Sequence, residues 1–348
     1  MESPISDLAH LSLDEVHALA MEIFAAHKVS DDHATALADT VTAAERDECK
    51  SHGLFRVPGY MATVKSGKVT PDSVPTVQDL APGVVQVDAH NGFAPLALKM
   101  GREPLAKKAR DQGIAALGLI NGYHFAALWP ETEALAEQGL VAFAFTSYMP
   151  CVAPAGGIKP LYGTNPIAFA WPRAGGKPPL VFDQATAASA RGEIMIHERD
   201  GKPIPEGWAI DPDGNPTTDP TAGLAGAQLP FGGYKGAAIG LMIELLAGAL
   251  IGDVFSYEAG ANDNGDGGPA KGGEFMMAID PARCAGGGDG GGREAQLAHA
   301  EGLFEKILEQ DGARLPSDRR YAARERTPSE GVTIPQSLYD TLMGLKAG

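Results

Sequence analysis

Between residues 84 and 145, short and solidly apolar runs alternate with longer stretches of helical periodicity. Val84-Val85-Gln86-Val87 and Ile114-Ala115-Ala116-Leu117-Gly118-Leu119-Ile120 read as strands, and residues 95–112 between them read as a helix with apolar and basic faces. A further helix is predicted over residues 130–138 and a strand over 140–145. Strand, helix, strand, helix, strand is the pattern of an α/β layer.

Helices flank this layer. Ser12 and Glu15 have the spacing of a capping box, and Leu13, Val16, Leu19, Ala20, Ile23 and Phe24 recur at helical intervals after it. A second helix is expected from Ser30-Asp31-Asp32, whose acids suit a helix N-terminus, through Ala34, Leu37, Val41 and Ala44 to near Gly53. Residues 203–230, rich in Asp, Pro, Gly and Thr, are expected to form a surface loop. Residues 237–250 predict a strongly apolar, central helix; residues 259–273 and 286–292 are Gly-rich and expected to be mobile; a last amphipathic helix spans about 295–309.

The chain has 348 residues, 44% hydrophobic and 21% charged, which suits a sizeable core in one large domain or two to three lobes. Asp and Glu outnumber Lys and Arg, 44 to 28, for a net charge of −16. That balance excludes nucleic acid and anionic membranes as expected partners, so a small anion has to be met by a few local Arg, Lys and backbone N–H groups. Cys49, Cys151 and Cys284 form no C-x-x-C pair and H-E-x-x-H is absent, so neither a disulfide framework nor a metal site is expected. No run approaches the about eighteen apolar residues of a membrane span. Met1-Glu2-Ser3-Pro4 lacks the layout of a secretory signal, and a cytoplasmic protein is expected.

Several polar clusters interrupt the apolar pattern. Ser51-His52-Gly53 with Arg56 joins a group that titrates near neutrality to a fork matched to carboxylates; the plain alternative is a capping or surface histidine. Asn121-Gly122-Tyr123-His124 follows a strand, where open α/β sheets bind ligands, and reads equally as a polar strand-to-helix turn. Gly163-Thr164-Asn165-Pro166 and Val181-Phe182-Asp183-Gln184 place polar groups in tight loops. Phe231-Gly232-Gly233-Tyr234-Lys235-Gly236 opens the apolar helix with free N–H groups and a Lys. Residues 286–291 satisfy G-x-G-x-x-G, but by the chance matching of a glycine run with no second βαβ half after it, and are not read as a Rossmann site. Asp211-Pro212-Asp213-Gly214-Asn215 lacks the Glu of a calcium loop, since position twelve is Ala222.

These blocks, in this order, resemble the type-2 malate/L-lactate dehydrogenase family of NAD(P)-dependent oxidoreductases, which has its own non-Rossmann nucleotide-binding fold. The matching stretches are Ser51-His52-Gly53-Leu54-Phe55-Arg56, residues 121–128, Gly163-Thr164-Asn165-Pro166, Asp183-Gln184-Ala185-Thr186 and Gly233-Tyr234-Lys235-Gly236, and they span nearly the whole chain. Within the family, residues 51–60 and His124-Phe125-Ala126-Ala127-Leu128-Trp129-Pro130 are similar to the branch that reduces Δ1-piperideine-2-carboxylate and Δ1-pyrroline-2-carboxylate.

The resemblance implies a mixed α/β (α+β) fold with a helical lobe built from both ends of the chain. Residues 1–75 would supply substrate residues, 76–294 the α/β cofactor-binding domain, and 295–348 a C-terminal helix and tail returning to the helical lobe. It implies His52 as the acid, with Ser51 beside it and a carboxylate behind, for which Glu193 stands where Asp is usual and Asp183 competes. Arg56 would hold the substrate carboxylate, with Thr164 at the substrate. His124, Phe125, Ala126, Ala127, Leu128, Asp183, Gln184, Ala185, Lys235 and Gly236 would contact the dinucleotide. Arg314, Arg319 and Arg320 concentrate charge that suits the 2′-phosphate of NADP, with a solvated basic loop as the alternative. NADPH is the expected cofactor, NADH the alternative, and a homodimer the expected assembly. Rival readings are a 2-hydroxy-acid dehydrogenase acting on malate, lactate or ureidoglycolate, and a non-catalytic binder of small anions.

Overall fold

The structure is a computed structural model that describes residues 8–124, 127–285 and 292–348. Phe125, Ala126 and the glycine run at 286–291 lie outside the described residues. Strand β1 (Leu8–Leu11) leads into helices α1 (Leu13–Ala26), α2 (Asp31–Arg46) and α3 (Val57–Ser66). Then follow β2 (Thr76–Ala81), β3 (Val84–Asp88), α4 (Ala94–Gln112), β4 (Ile114–His124), α5 (Trp129–Ala136), β5 (Val141–Thr146), β6 (Ile167–Trp171) and β7 (Leu180–Gln184). A small subdomain comprises α6 (Arg191–Arg199), β8 (Ala209–Ile210), β9 (Pro216–Thr217), α7 (Pro220–Ala225) and β10 (Ala227–Gln228). After it come α8 (Tyr234–Glu244), α9 (Ser256–Ala261), β11 (Ala270–Ile279), α10 (Pro281–Cys284), α11 (Gly292–Leu308), α12 (Asp318–Glu330), β12 (Val332–Pro335) and α13 (Gln336–Lys346).

Seven strands form one mixed sheet in the order β2-β3-β4-β11-β5-β6-β7. Only β3 and β4 are parallel, joined by the crossover through α4; every other neighbour pair is antiparallel. The predicted alternation of strands and helices is present, but β5 is not the neighbour of β4, because β11 arrives from far along the chain and pairs with both. α4 covers one face with Ala94, Ala97, Leu98, Leu105, Ala106 and Ala109, packed on Val85, Val87, Leu117, Leu119 and Met276. Burial of each such leucine stabilises by about 1.5–3 kcal/mol.

The helical lobe has its own core of Val16, Ile23, Phe24, Leu37, Val41, Leu54, Val57, Tyr60 and Met61. Two aromatics from the sheet side, Phe93 and Tyr123, are part of that core, with Phe93 edge-on to Tyr60 at a centroid distance of 5.3 Å. The chain's end returns to its start: β12 pairs antiparallel with β1, and Leu342 of α13 enters the same core. The capping box at Ser12 and Glu15 is formed.

Five expectations need correction. The second helix stops at Arg46, not near Gly53, because Glu48 takes a left-handed φ of 56° and the chain goes on in two 3₁₀ turns, Lys50–His52 and Leu54–Arg56. Residues 121–124 are not a turn but the end of β4, since Gly122, Tyr123 and His124 are paired with Gly272, Lys271 and Ala270. Residues 203–230 hold the order β10-β8-β9 and α7, supported by a core of Ile194, Ile204 and Ala209. The apolar helix at 237–250 packs only one face, through Ile243 and Ala247, and its end widens into a π-helix over Leu245–Leu250. The Gly-rich stretch at 259–273 ends in a central strand, where glycines let β11 run close to its neighbours.

Candidate active site

The loop after α2 is fixed by its own polar groups. Asp47 accepts from Arg46 Nε at 2.8 Å, Arg324 Nε at 2.7 Å and Nη2 at 2.6 Å, and the Trp129 indole N–H at 3.1 Å. Glu45, also buried, accepts the Leu54 N–H at 2.8 Å, and a Cβ on Gly53 would push into its carboxylate and force it to shift from that bond. Arg56 Nε donates to the Ser51 carbonyl at 2.7 Å across the two 3₁₀ turns. Ser51 Oγ then lies 2.9 Å from His52 Nδ1.

Opposite this loop is one edge of the sheet, where the carboxyl ends of β3, β4, β5 and β7 meet the amino ends of β6 and β11. His124 closes β4 and is buried, its Nε2 3.2 Å from Oε2 of Glu274 on β11. Asp183, at the end of β7, accepts the N–H groups of Leu128 at 2.8 Å and Trp129 at 3.1 Å, which anchors the start of α5. The Thr164 carbonyl accepts from the Thr186 N–H at 2.8 Å and its hydroxyl at 3.0 Å. Asn165 next to it, at a φ of 37°, donates to Glu244 at 2.7 Å, and Glu244 also receives the N–H and hydroxyl of Ser256. This buried network ties the 163–166 turn to α8.

The two histidines share a field. Burial, then the Arg56 charge, then His124 push His52 down to about 3, and burial pushes His124 down to about 4. Both rings are neutral at pH 7. Burial also lowers Arg56, against the attraction of Tyr148 and Tyr60. Glu274 shifts the other way: burial, then the charges of Glu131 and Asp183, hold its carboxyl well above the ordinary range.

Residues 11–343 match the model of the malate/L-lactate dehydrogenase family. The chain belongs to that family. Over 338 residues, 97% of this chain and 99% of its relative, it is 54% identical to the Δ1-pyrroline-2-carboxylate/Δ1-piperideine-2-carboxylate reductase of Pseudomonas aeruginosa. Over 345 residues, 99% of this chain and 98% of the other, it is 50% identical to the Δ1-pyrroline-2-carboxylate reductase of Ancylobacter novellus. The crystal structure of Δ1-piperideine-2-carboxylate reductase from Pseudomonas syringae superposes with a TM-score of 0.90 at 42% identity, covering 97% of this chain and 99% of that one. Membership in this dehydrogenase family implies an oxidoreductase that uses a nicotinamide cofactor.

The donor set fits a dinucleotide. Lys235, Arg314 and Arg319 are exposed cations in an acidic chain, and none makes an ion pair among the described residues. Gly232 and Gly233, both at positive φ, lead into α8, whose first turn is closed on the loop before it: the Gly236 N–H donates to the Phe231 carbonyl at 3.0 Å and the Lys235 N–H to the Gly232 carbonyl at 3.4 Å, so the Lys235 side chain is what this turn offers an anion. Ala127 and Leu128 are buried beside the loop that Asp183 holds; Gln184 is exposed, Ala185 half-buried and Gly236 buried. Arg320 is committed elsewhere: it donates to the Val181 carbonyl at 3.0 Å and stacks on Trp129 at 5.0 Å.

Neither carboxylate considered for His52 bonds to it. Glu193 is exposed on α6 with its carboxylate 3.9 Å from His197, one helical turn on, and Asp183 is taken up by backbone N–H groups. The sequence reading missed Glu45, Asp47, Glu244 and Glu274. The available signal was an acid inside an apolar run, as in Gly273-Glu274-Phe275-Met276-Met277, where a charge needs a reason to be buried. Among the described residues no three His, Cys, Asp or Glu side chains are grouped to hold a metal, and no helix is long and apolar enough to cross a membrane.

Proposed function

We propose that the protein is an NADPH-dependent reductase of cyclic imine carboxylates, delivering hydride to C2 of Δ1-piperideine-2-carboxylate and Δ1-pyrroline-2-carboxylate to give L-pipecolate and L-proline. The relatives named above support the substrate class. The observation that carries the chemistry is the joint clamping of Ser51, His52 and Arg56 in one short loop, with His124 acting on His52 from the sheet edge.

The nicotinamide, when bound, supplies the hydride. Arg56 meets the substrate carboxylate and orients the C=N carbon, turning an encounter into an aligned transfer. That carboxylate offsets the Arg56 charge but not burial, which is the largest cause of the lowered His52, so the ring stays neutral and acts through its own N–H. With Ser51 holding Nδ1, the proton on Nε2 is offered to the imine nitrogen, which makes C2 a better hydride acceptor. Asp183 keeps the 127–129 segment in place through two N–H bonds, and Lys235, Arg314 and Arg319 meet the dinucleotide phosphates.

The assay that tests this is an initial-rate comparison of the two imines with pyruvate and oxaloacetate, each with NADPH and NADH. Turnover of the imines with NADPH is expected; faster turnover of the 2-oxo acids would assign a hydroxy-acid dehydrogenase instead. Replacing both Arg314 and Arg319 with Ala should weaken NADPH more than NADH. The same proposal includes a cytoplasmic homodimer. Its support is the stripe of Leu241, Met242, Leu245 and Leu250 on α8 and the π-helix, exposed by 45%, 38%, 50% and 62%. Light scattering at the mass of one chain would exclude the dimer.

A further inference from the structure

Glu274 has no part in the chemistry above, yet it is fully buried in β11, between β4 and β5. Neither of its oxygens makes a hydrogen bond among the described residues, and Nε2 of His124, 3.2 Å away, is equally without one. An unsatisfied acid in a sheet core is expensive to keep, and such groups gather where function needs them. The register of β11 against β4 slips between Gly272 and Glu274, the kind of bulge that re-aims a side chain beside a site.

The groups around Glu274 decide what it can be. Glu131 of α5, paired with Arg102 of α4 at 3.0 Å, and Asp183 of β7 both bring negative charge, and His124 of β4 is the basic group facing it. From β5, the Thr146 hydroxyl is spent on the Gly273 carbonyl at 2.9 Å. Burial and two nearby carboxylates favour the protonated acid, and a neutral carboxyl is a donor. A neutral imidazole beside it has one acceptor nitrogen.

We propose that Glu274 is the positioning residue of His124: its carboxyl O–H donates to His124 Nε2, which puts the imidazole hydrogen on Nδ1 and fixes which N–H the ring offers toward His52 and the substrate. The inference rests on the reductase reading for its catalytic consequence but not for the tautomer itself. The separation of 3.2 Å is already a hydrogen-bond distance.

The experiment records long-range nitrogen–proton NMR of the full chain labelled at histidine, with His124→Gln assigning the signals, beside kcat and KM for the two imines. His124 is expected as the Nδ1–H tautomer at pH 7. Glu274→Gln, whose amide also donates, should keep that tautomer and a kcat within about threefold of the unaltered protein. Glu274→Met should mix the tautomers and lower kcat about tenfold, the effect of one lost neutral hydrogen bond, with KM nearly unchanged. An Nε2–H tautomer in the unaltered protein, or a Glu274→Met protein that matches it in tautomer and kcat, would overturn the proposal. Absence of imine turnover in the unaltered protein would instead sink the reductase reading, which the tautomer does not test.

Discussion

Asp47, at the end of α2, receives two arginines and an indole, whereas Glu274, in the middle of β11, receives no hydrogen bond among the described residues. Burial would raise both. For Asp47 the bonds from Arg324 and Arg46 outweigh it and hold the carboxylate below its ordinary range; for Glu274 nothing does, and its carboxyl stays well above that range. The contrast extends to their surroundings. Arg324 also grips Glu133 at 2.6 Å, and Tyr321 donates to Glu133 at 2.8 Å, so α2, α5 and α12 are bolted together by paired charge. Across the sheet edge, His52 and His124 are both held neutral, and His124 and Glu274 are without mutual hydrogen bonds. Paired buried charge bolts the scaffold here, and the unsatisfied pair His124 and Glu274 lies beside the site.

If that division is right, removing a site-side group should spoil rate and spare stability. His52→Ala is expected to cut kcat by about 10²–10⁴-fold, the range for losing a general acid, with KM little altered and the urea midpoint unchanged or higher. A His52→Ala enzyme with near-normal turnover would remove His52 from the mechanism. The scaffold side should behave in reverse. Arg324→Ala leaves Asp47 and Glu133 buried without their shared partner and is expected to cost about 3–5 kcal/mol in urea unfolding, while kcat per folded molecule stays within a few-fold. A loss below about 1 kcal/mol would mean that the cluster is no bolt. Arg56→Lys lies between, since Arg56 both clamps the loop through Ser51 and carries the charge for substrate. It is expected to raise KM by about tenfold with a smaller change in kcat, because a point charge replaces a fork.

The same division explains what could be read in advance. Ser51, His52 and Arg56 lie within six residues of one loop, so spacing alone brought them together, and the α4 crossover announced itself through periodicity. β11 did not: it enters the sheet from about 150 residues beyond β4, through glycines that read as mobile chain, and no local pattern specifies a pairing at that distance. Glu274 was therefore illegible as a neighbour of His124 even though its oddity within an apolar run was visible. Asp47 failed for a related reason. Its partner Arg324 is 277 positions away, so the end of α2 looked like open helix until α12 was seen to reach it.

Acidification gives the subtlest test of the contrast. His52 and His124 fall to about 3 and about 4 in the folded chain, against an ordinary value near 6.5, so between those limits the unfolded chain binds more protons than the folded one. Stability should therefore be full above pH 6.5 and decline as pH falls toward 4, by at most about 1.4 kcal/mol per pH unit for each ring. Glu274 has the opposite sign: raised in the folded chain, it adds stability below its own titration and loses it as pH climbs through that point. Asp47, lowered, keeps its contribution above its ordinary value of 3.8 and loses it only as pH falls below that, so it stays out of the window from pH 7 to 5. Urea midpoints at pH 7, 6 and 5 for the unaltered protein and His52→Gln should diverge on acidification, the variant falling less steeply because it has one proton fewer to resist. Parallel lines for the two would show that His52 is not held neutral by the fold, and the contrast between the two sides of the sheet edge would then reduce to Glu274 alone.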